Sequence, residues 1–182
     1  MSPYVGRIVT ALCGHDKDRL YLVVGEENGY LFLADGKLVV MAAPVDGYGN
    51  AYYLDGECTT DVEIYDVSNA SSPVLLRSFS QEGTYQEARI IDGSLLLVSR
   101  KYTSIRTDGD FSFDPQEVIP KICDDVLTEE PAILPADSVY CMPNVNSTVF
   151  TVISMVELDS QQPAKSMTVL GEGILYANYE NI

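Results

Sequence analysis

Histidine and closely spaced cysteines, which build many metal and redox sites, are almost absent from this chain. His15 is its only histidine, which excludes the histidine-rich metal sites of common hydrolases. The four cysteines (Cys13, Cys58, Cys123 and Cys141) include no Cys-x-x-Cys pair, so common zinc and redox motifs are excluded. A bridge between Cys123 and Cys141 is conceivable, but four scattered cysteines are more often free thiols.

Long apolar runs and targeting signals are missing as well. No segment approaches the roughly 18 apolar residues that a membrane-spanning helix needs. The N-terminus has no apolar stretch behind a basic cluster, so no signal peptide is visible. No 3.6-residue amphipathic period is sustained, and we therefore expect little helix.

Basic residues are scarce. The 182 residues include 11 Lys and Arg against 27 Asp and Glu, which gives a net charge of -16. Such a field repels phosphate backbones, so we do not expect the chain as a whole to bind nucleic acid nonspecifically. Residues 1–37 are nearly neutral, with four basic and five acidic residues. Almost all of the acidity lies beyond residue 37.

Short β-favouring segments separated by turn residues fill the first 37 residues. Asn28-Gly29 and Asp35-Gly36 are strong hairpin signals. The predicted strands are 6–12, 19–25 and 30–34. This pattern predicts a small β meander.

A strand, turn, strand, loop, strand pattern follows at residues 60–99. Ile64 alternates with Glu63 and Tyr65, so we expect Ile64 to face the core. The predicted strands span 60–67, 74–79 and 94–98, and a looser copy is predicted at 149–158, 164–170 and 174–177. A repeated antiparallel unit is typical of a β-propeller or a β-sandwich.

The two copies are separated by a long acidic excursion at residues 103–137, broken by four prolines, with a short helix predicted around 118–127. Asp108, Asp110, Ser112 and Asp114 alternate there, and oxygen ligands at every second residue suit a calcium loop. Phe113 stands where such a loop needs glycine, so a solvated acidic loop is the favoured interpretation. We expect no cofactor, with calcium as a weak candidate.

Several segments in order resemble the C-terminal β-propeller family that is distantly related to WD repeats. The matching pieces are Thr59–Ser68, Pro73–Phe79, Gly83–Tyr85 with Ala88-Arg89, and Asp92–Ser99. The resemblance covers about residues 38–182. It implies a partial propeller of about two blades, typically exported or attached to the cell surface, with no catalytic residues to carry over.

The N-terminal segment resembles a different family, the small KOW-motif, ribosomal-protein-like RNA-binding proteins. Its matching pieces are Gly6–Val9, Gly14–Arg19, Tyr21–Val24 and Tyr30–Leu38. The resemblance implies RNA contacts through Arg7, His15, Lys17 and Arg19. The family's basic tail is missing after Leu38, and Asp18 stands where a turn glycine is usual. The alternative interpretation of this segment is a further divergent blade.

These observations predict an all-β chain in two parts, a KOW-like meander at 1–37 and an incomplete β-propeller at 38–182. The predicted function is a noncatalytic binding or structural module, and we do not expect an enzyme. RNA binding through residues 1–37 and a calcium-dependent surface module are the alternatives. We expect protein partners or self-association through exposed sheet edges. The propeller resemblance favours the cell surface, whereas the missing signal peptide favours the cytoplasm.

Overall fold

The computed structural model describes residues 3–12, 17–27, 30–34, 36–43, 58–103, 114–141, 143 and 147–171. Nearly all regular structure in these residues is β, which confirms the predicted fold class. The strands are β1 (Ile8–Thr10), β2 (Leu20–Glu27), β3 (Tyr30–Ala34), β4 (Lys37–Ala42), β5 (Thr59–Asp66), β6 (Val74–Glu82), β7 (Thr84–Ile91), β8 (Ser94–Tyr102), β9 (Lys121–Asp124), β10 (Thr128–Ile133), β11 (Val139–Cys141), β12 (Val149–Glu157) and β13 (Lys165–Leu170). A four-residue helix, α1 (Pro115–Val118), and one 3-10 turn (Ala136–Ser138) complete the described elements.

The strands form three sheets. The first has the order β1-β2-β3, the middle one β10-β9-β6-β5-β4, and the third β11-β13-β12-β8-β7. The pairs β1–β2, β2–β3, β6–β9, β9–β10, β7–β8, β8–β12 and β12–β13 run antiparallel, whereas β11 lies parallel to β13.

The described chain divides into two compact units. One comprises residues 1–40 and 63–78, and the other comprises 41–62 and 79–182. In the first unit the backbone N–H of Val67 donates to the carbonyl of Gly36 over 2.7 Å. The predicted domain boundary at residue 37 stays a prediction.

Alternation along β5 follows the sequence pattern. Val62 and Ile64 are each 1% exposed, whereas Asp61 and Glu63 are exposed. Because side chains alternate between the two faces of a strand, one face of β5 is apolar and buried. The prediction that Ile64 faces the core is confirmed.

Strand β8 lies inside the third sheet, between β12 and β7. Five successive residues of β8, Leu95 to Ser99, are buried, so both faces of this strand are covered. Its partner β12 alternates instead, with Val152, Ser154 and Val156 buried. A continuous apolar run is what a strand covered on both faces requires.

Strand pairing departs from the predicted repeat. The sequence pattern placed 60–99 and 149–177 in two separate blade-like units, but β8 pairs along its whole length with β12. The interval expected to be a loop before residue 92 contains the end of β6 and all of β7. These expectations were wrong because a local pattern shows where strands lie and not which strands share hydrogen bonds.

The helix expected around 118–127 was also wrong over most of its length. Helix α1 ends at Val118, and Ile119 is extended with φ -70° and ψ 133°. Ile119 precedes Pro120, and the ring of a proline disfavours helical geometry in the residue before it. The chain then enters β9, whose Asp124 pairs with Phe79 of β6.

The chain passes from the middle sheet to the third sheet at Gly83. This residue has φ +107°, and a Cβ atom there would lie 2.6 Å from the backbone carbon of Arg100. Its N–H also donates to the carbonyl of Cys58 over 2.6 Å. A side chain is therefore excluded by conformation and by space. No helix among the described residues is long and apolar enough to cross a membrane.

We predict that Ile64→Asp lowers the free energy of unfolding by about 3–5 kcal/mol, because it places an unpaired carboxylate at a buried position. Glu63→Asp is the matched control, since it introduces the same side chain at the exposed neighbouring position and is expected to change stability by less than about 0.5 kcal/mol. Urea denaturation measures both. Equal stability of the two variants would contradict the burial of Ile64.

We predict that Gly83→Ala costs more stability than Gly93→Ala. Both glycines have positive φ, so each substitution carries about 1–2 kcal/mol of backbone strain. Only Gly83 also has backbone atoms within 3 Å of the new methyl group, which adds about 1–3 kcal/mol of overpacking. Thermal and urea unfolding compare the two variants. Equal losses would show that the close approach at Gly83 relaxes without cost.

Candidate functional site

A buried ion pair lies where β6 ends. The Nζ atom of Lys101 is 2.6 Å from Oε2 of Glu82, and the two side chains are 14% and 7% exposed. The same oxygen accepts the backbone N–H of Lys121 over 2.8 Å, and Lys101 also reaches the carbonyl of Ile119 at 3.4 Å. The Glu82 carboxylate therefore joins β8 to the start of β9.

Buried polar side chains continue from this ion pair. Nε2 of Gln81 donates to Oγ of Ser99 over 2.8 Å, and Ser99 donates to the carbonyl of Glu82 over 2.7 Å. Gln81 and Ser99 are each fully buried. Oε1 of Gln81 is buried without a hydrogen-bond partner. We call Gln81, Glu82, Ser99 and Lys101 the Glu82 cluster.

A narrow cleft borders the Glu82 cluster. Its volume is only about 10 Å³. Its lining consists of Cys58, Glu82, Gly83, Thr84, Arg100, Lys101 and Tyr102. Burial, followed by the charge of Asp61, raises the pKa of the Cys58 thiol. The thiol thus has little thiolate at neutral pH and is a poor nucleophile.

A second buried carboxylate lies at the other end of β9. Asp124 is 2% exposed, and its Oδ2 accepts the backbone N–H of Ala164, in the connection between β12 and β13, over 2.8 Å. Together, Glu82 and Asp124 attach both ends of β9 to the surrounding strands. The groups around the Glu82 carboxylate are protein donors, so the geometry is that of a structural anchor.

Strand β3 is the most exposed apolar element. It consists of Tyr-Leu-Phe-Leu-Ala, and it pairs only with β2 among the described residues. Tyr30, Leu31, Phe32 and Leu33 are 76%, 36%, 51% and 46% exposed. Because neighbouring side chains point to opposite faces, both faces of β3 are open along with its free edge.

The Phe32 ring packs beside Gly25 of β2 on one face of this sheet. Gly25 of β2 is the register partner of Phe32, and a Cβ atom at Gly25 would lie 3.1 Å from Cδ2 of the ring. The register shifts between Val23 and Gly25, so β2 has a bulge at Val24. The glycine leaves room for the ring beside the β2 backbone.

The structure places three of the four RNA-binding candidates. Arg7, Lys17 and Arg19 are exposed, and His15 lies outside the described residues. The carbonyl of Arg7 accepts the N–H of Val23, so Arg7 is about 13 Å from Arg19 along the strand, at ~3.3 Å per residue. Lys17 and Arg19 lie at one end of the β1–β2 pair, and Arg7 lies at the other end.

The end of the β1–β2 pair that carries Arg19 has a groove and a left-handed turn residue. Arg19 lines an open groove of about 560 Å³ with Leu20, Gly36 and residues 68–70. Asp18 has φ 70°, a left-handed conformation that favours glycine. The sequence departs from the KOW pattern at this residue, yet the turn keeps the conformation that glycine would provide.

The calcium candidates are described only in part. Asp108 and Asp110 lie outside the described residues. Asp114 is the N-cap of α1, and its Oδ1 accepts the backbone N–H of Gln116 over 2.9 Å. Within the described ranges, no group of three or more His, Cys, Asp or Glu side chains is arranged to hold a metal ion. Cys58, Cys123 and Cys141 are free thiols.

A protein-family model described as a beta propeller domain matches residues 16–182. The chain belongs to the beta propeller domain family. No curated protein and no solved structure matches it significantly. The propeller match includes residues 16–37, and the KOW-type resemblance stays a prediction.

Membership of the beta propeller family explains the third sheet. Strands β7, β8, β12 and β13 form a four-stranded antiparallel meander, which is the unit of a propeller blade. The long insertion enters between its second and third strands. The described part of the insertion supplies β9 and β10 to the middle sheet and β11 to the third sheet. The chain between β8 and β12 therefore extends two sheets.

The Glu82 cluster was not found from the sequence. Glu82 and Lys101 are separated by 19 positions, and no motif connects them. One signal was available, since Gln81 and Glu82 continue the strand that begins with Val74 and precede a glycine. Polar residues at a strand end before glycine favour a sharp change of direction, but they do not identify a partner.

We predict that Lys101→Met lowers the free energy of unfolding by about 3–5 kcal/mol, because it leaves the buried Glu82 carboxylate without its counter-ion. Lys165→Met is the matched control. The Lys165–Glu157 pair is 3.8 Å apart with side chains 78% and 45% exposed, so its loss should cost at most about 1 kcal/mol.

A double variant, Glu82→Gln with Lys101→Met, tests the same ion pair. It is expected to cost less than the sum of the single substitutions, since neither charge is then buried alone. Urea denaturation gives the free energies of unfolding of Glu82→Gln, Lys101→Met and the double variant. Strict additivity would show that the two side chains contribute independently.

Proposed function

We propose that this beta propeller chain is a noncatalytic protein-binding module whose binding element is strand β3. The observation that carries the proposal is an uncharged, apolar strand of five residues with two exposed faces and an edge that no described strand pairs with. Beta propeller domains commonly mediate protein interactions, which supports the general class.

The edge of β3 offers backbone groups as well as apolar area. An edge strand presents a row of free N–H and C=O groups that an extended partner strand can pair with. Main-chain hydrogen bonds give such a complex its affinity, while alternate side chains give it selectivity. The partner expected here is an extended, apolar segment of a protein.

The chemistry of the described residues favours binding over catalysis. The Glu82 carboxylate accepts from Lys101 and from the Lys121 backbone, and burial raises the pKa of the nearby Cys58 thiol. Among the described residues, no basic side chain is hydrogen-bonded to that thiol. A nucleophile needs a base within hydrogen-bonding reach to become active.

RNA binding through residues 1–37 is supported less well. Arg7 lies at the far end of the β1–β2 pair from Lys17 and Arg19, which spaces these basic residues along the strands. The net charge of -16 also opposes association with phosphate.

We predict that Phe32→Lys removes binding of extended apolar peptides. Peptides selected from a displayed random library on the immobilised wild-type chain should show alternating apolar residues, and their affinity should fall at least about tenfold for the variant. A charge within the edge opposes strand addition. Calorimetry or fluorescence titration measures the change.

The control is Ile90→Lys on β7. Ile90 is 58% exposed, similar to Phe32, and the substitution changes the charge equally. It should leave peptide affinity unchanged. Selected peptides that bind both variants as well as they bind the wild type would contradict the assignment to β3, as would a selection that enriches no apolar peptide.

A further inference from the structure

We infer that the β3 edge has a closed state, in which β4 of the same chain pairs with β3 as an antiparallel hairpin. The inference rests on the proposed function, because β4 would compete with a protein partner for the strand which that proposal names. In the structure β3 pairs with β2 and β4 pairs with β5, so each has an edge that no described strand covers. The structure thus shows the open state, and the hairpin is the closed one.

The connection between the two strands has the chemistry of a hairpin turn. Only Asp35 and Gly36 separate β3 from β4, and Asp-Gly between two apolar strands is one of the strongest hairpin signals. Gly36 has φ +86°, a positive value of the kind that two-residue hairpin turns require. β3 and residues 37–40 of β4 also belong to the same compact unit. Closure therefore joins two neighbouring segments of one unit.

The facing side chains in the closed state are complementary. A two-residue connection fixes the register of a hairpin, so Ala34 faces Lys37 and the following positions pair in turn. Hydrophobic side chains that face each other across an antiparallel pair stabilise a sheet. All further pairs in this register are hydrophobic on both strands, namely Leu33 with Leu38, Phe32 with Val39, Leu31 with Val40 and Tyr30 with Met41.

The closed hairpin would also complete a set of four strands. β4, β5 and β6 follow one another in the chain and lie side by side in the middle sheet. A propeller blade has four strands, as β7, β8, β12 and β13 show in the third sheet. Because strands that are consecutive in sequence are usually neighbours in a sheet, β3 is the natural fourth member beside β4.

Closure would regulate binding at β3. A partner strand and β4 would use the same backbone N–H and C=O groups of β3, so each excludes the other. The apparent affinity for a partner then falls with the fraction of chains that are closed. Two apolar edges that cover each other in the free chain also avoid the aggregation hazard of open edges.

The test is a pair of cysteines across the hairpin, Leu31→Cys with Val40→Cys, in the full 182-residue chain. Facing residues of an antiparallel pair have Cα atoms within the range that a disulfide spans. Leu31→Cys with Met41→Cys is the matched control. Val40 and Met41 are 42% and 41% exposed, but they are neighbours on β4 and point to opposite faces.

The expected result is a disulfide between positions 31 and 40 after mild oxidation with glutathione, in a yield at least about tenfold above that between positions 31 and 41. Mass spectrometry of proteolytic peptides identifies each bridge and separates it from the native cysteines. Affinity for the apolar peptides selected on the wild type should fall at least about tenfold in the bridged variant. It should recover when a reductant opens the bridge.

Two results would overturn the inference. One is an equal yield of the bridge in the two cysteine variants, and the other is a bridged variant that binds peptides as well as its reduced form. If no selected peptide depends on Phe32, the proposed function fails, and the bridge yields still decide whether the hairpin forms. If Leu31→Cys with Val40→Cys does not fold, Leu33→Cys with Leu38→Cys replaces it, since these positions also face each other.

Discussion

The close approach of Gly83 to the backbone of Arg100 and Lys101 determines how the chain leaves one sheet and begins the next. Without a side chain at that point, β6 ends and β7 begins within a single residue. The turn also places the carboxylate of Glu82 beside Lys101, which completes a buried ion pair. Such a pair is costly to bury and costly to break, so it favours one arrangement of these strands over others.

The ion pair connects the blade to the insertion. Glu82 accepts the N–H of Lys121 at the start of β9, and Asp124 at the end of β9 accepts the N–H of Ala164. With both ends held, β9 lies beside β6, and β10 becomes the outer strand with its glutamates and proline. The acidic segment thus provides the outer strand of this sheet. It is attached through the buried carboxylates of Glu82 on β6 and Asp124 on β9.

Local signals predicted the elements that depend on local chemistry. The bounds of β3 and the inward face of Ile64 followed from turn residues and alternation. The pairing of β8 with β12 did not, because a continuous apolar run such as Leu95–Val98 is compatible with several partners. The Glu82–Lys101 contact could not be predicted from the sequence either, since each residue alone resembles an ordinary surface charge. What the sequence could not provide was long-range pairing, which depends on how the sheets meet.

Charge distribution and edge protection lead to the same surface by different physical routes. Charge acts at long range, on the scale of the roughly 10 Å screening length, and opposes contact between acidic regions. Edge protection acts at contact, where Glu129 or Pro131 prevents a strand from adding. Neither effect blocks contact at β3, since residues 30–34 are uncharged and both faces of the strand are exposed. Among the described edges, β4 is the other apolar one, and an open apolar edge is an aggregation hazard unless a partner covers it.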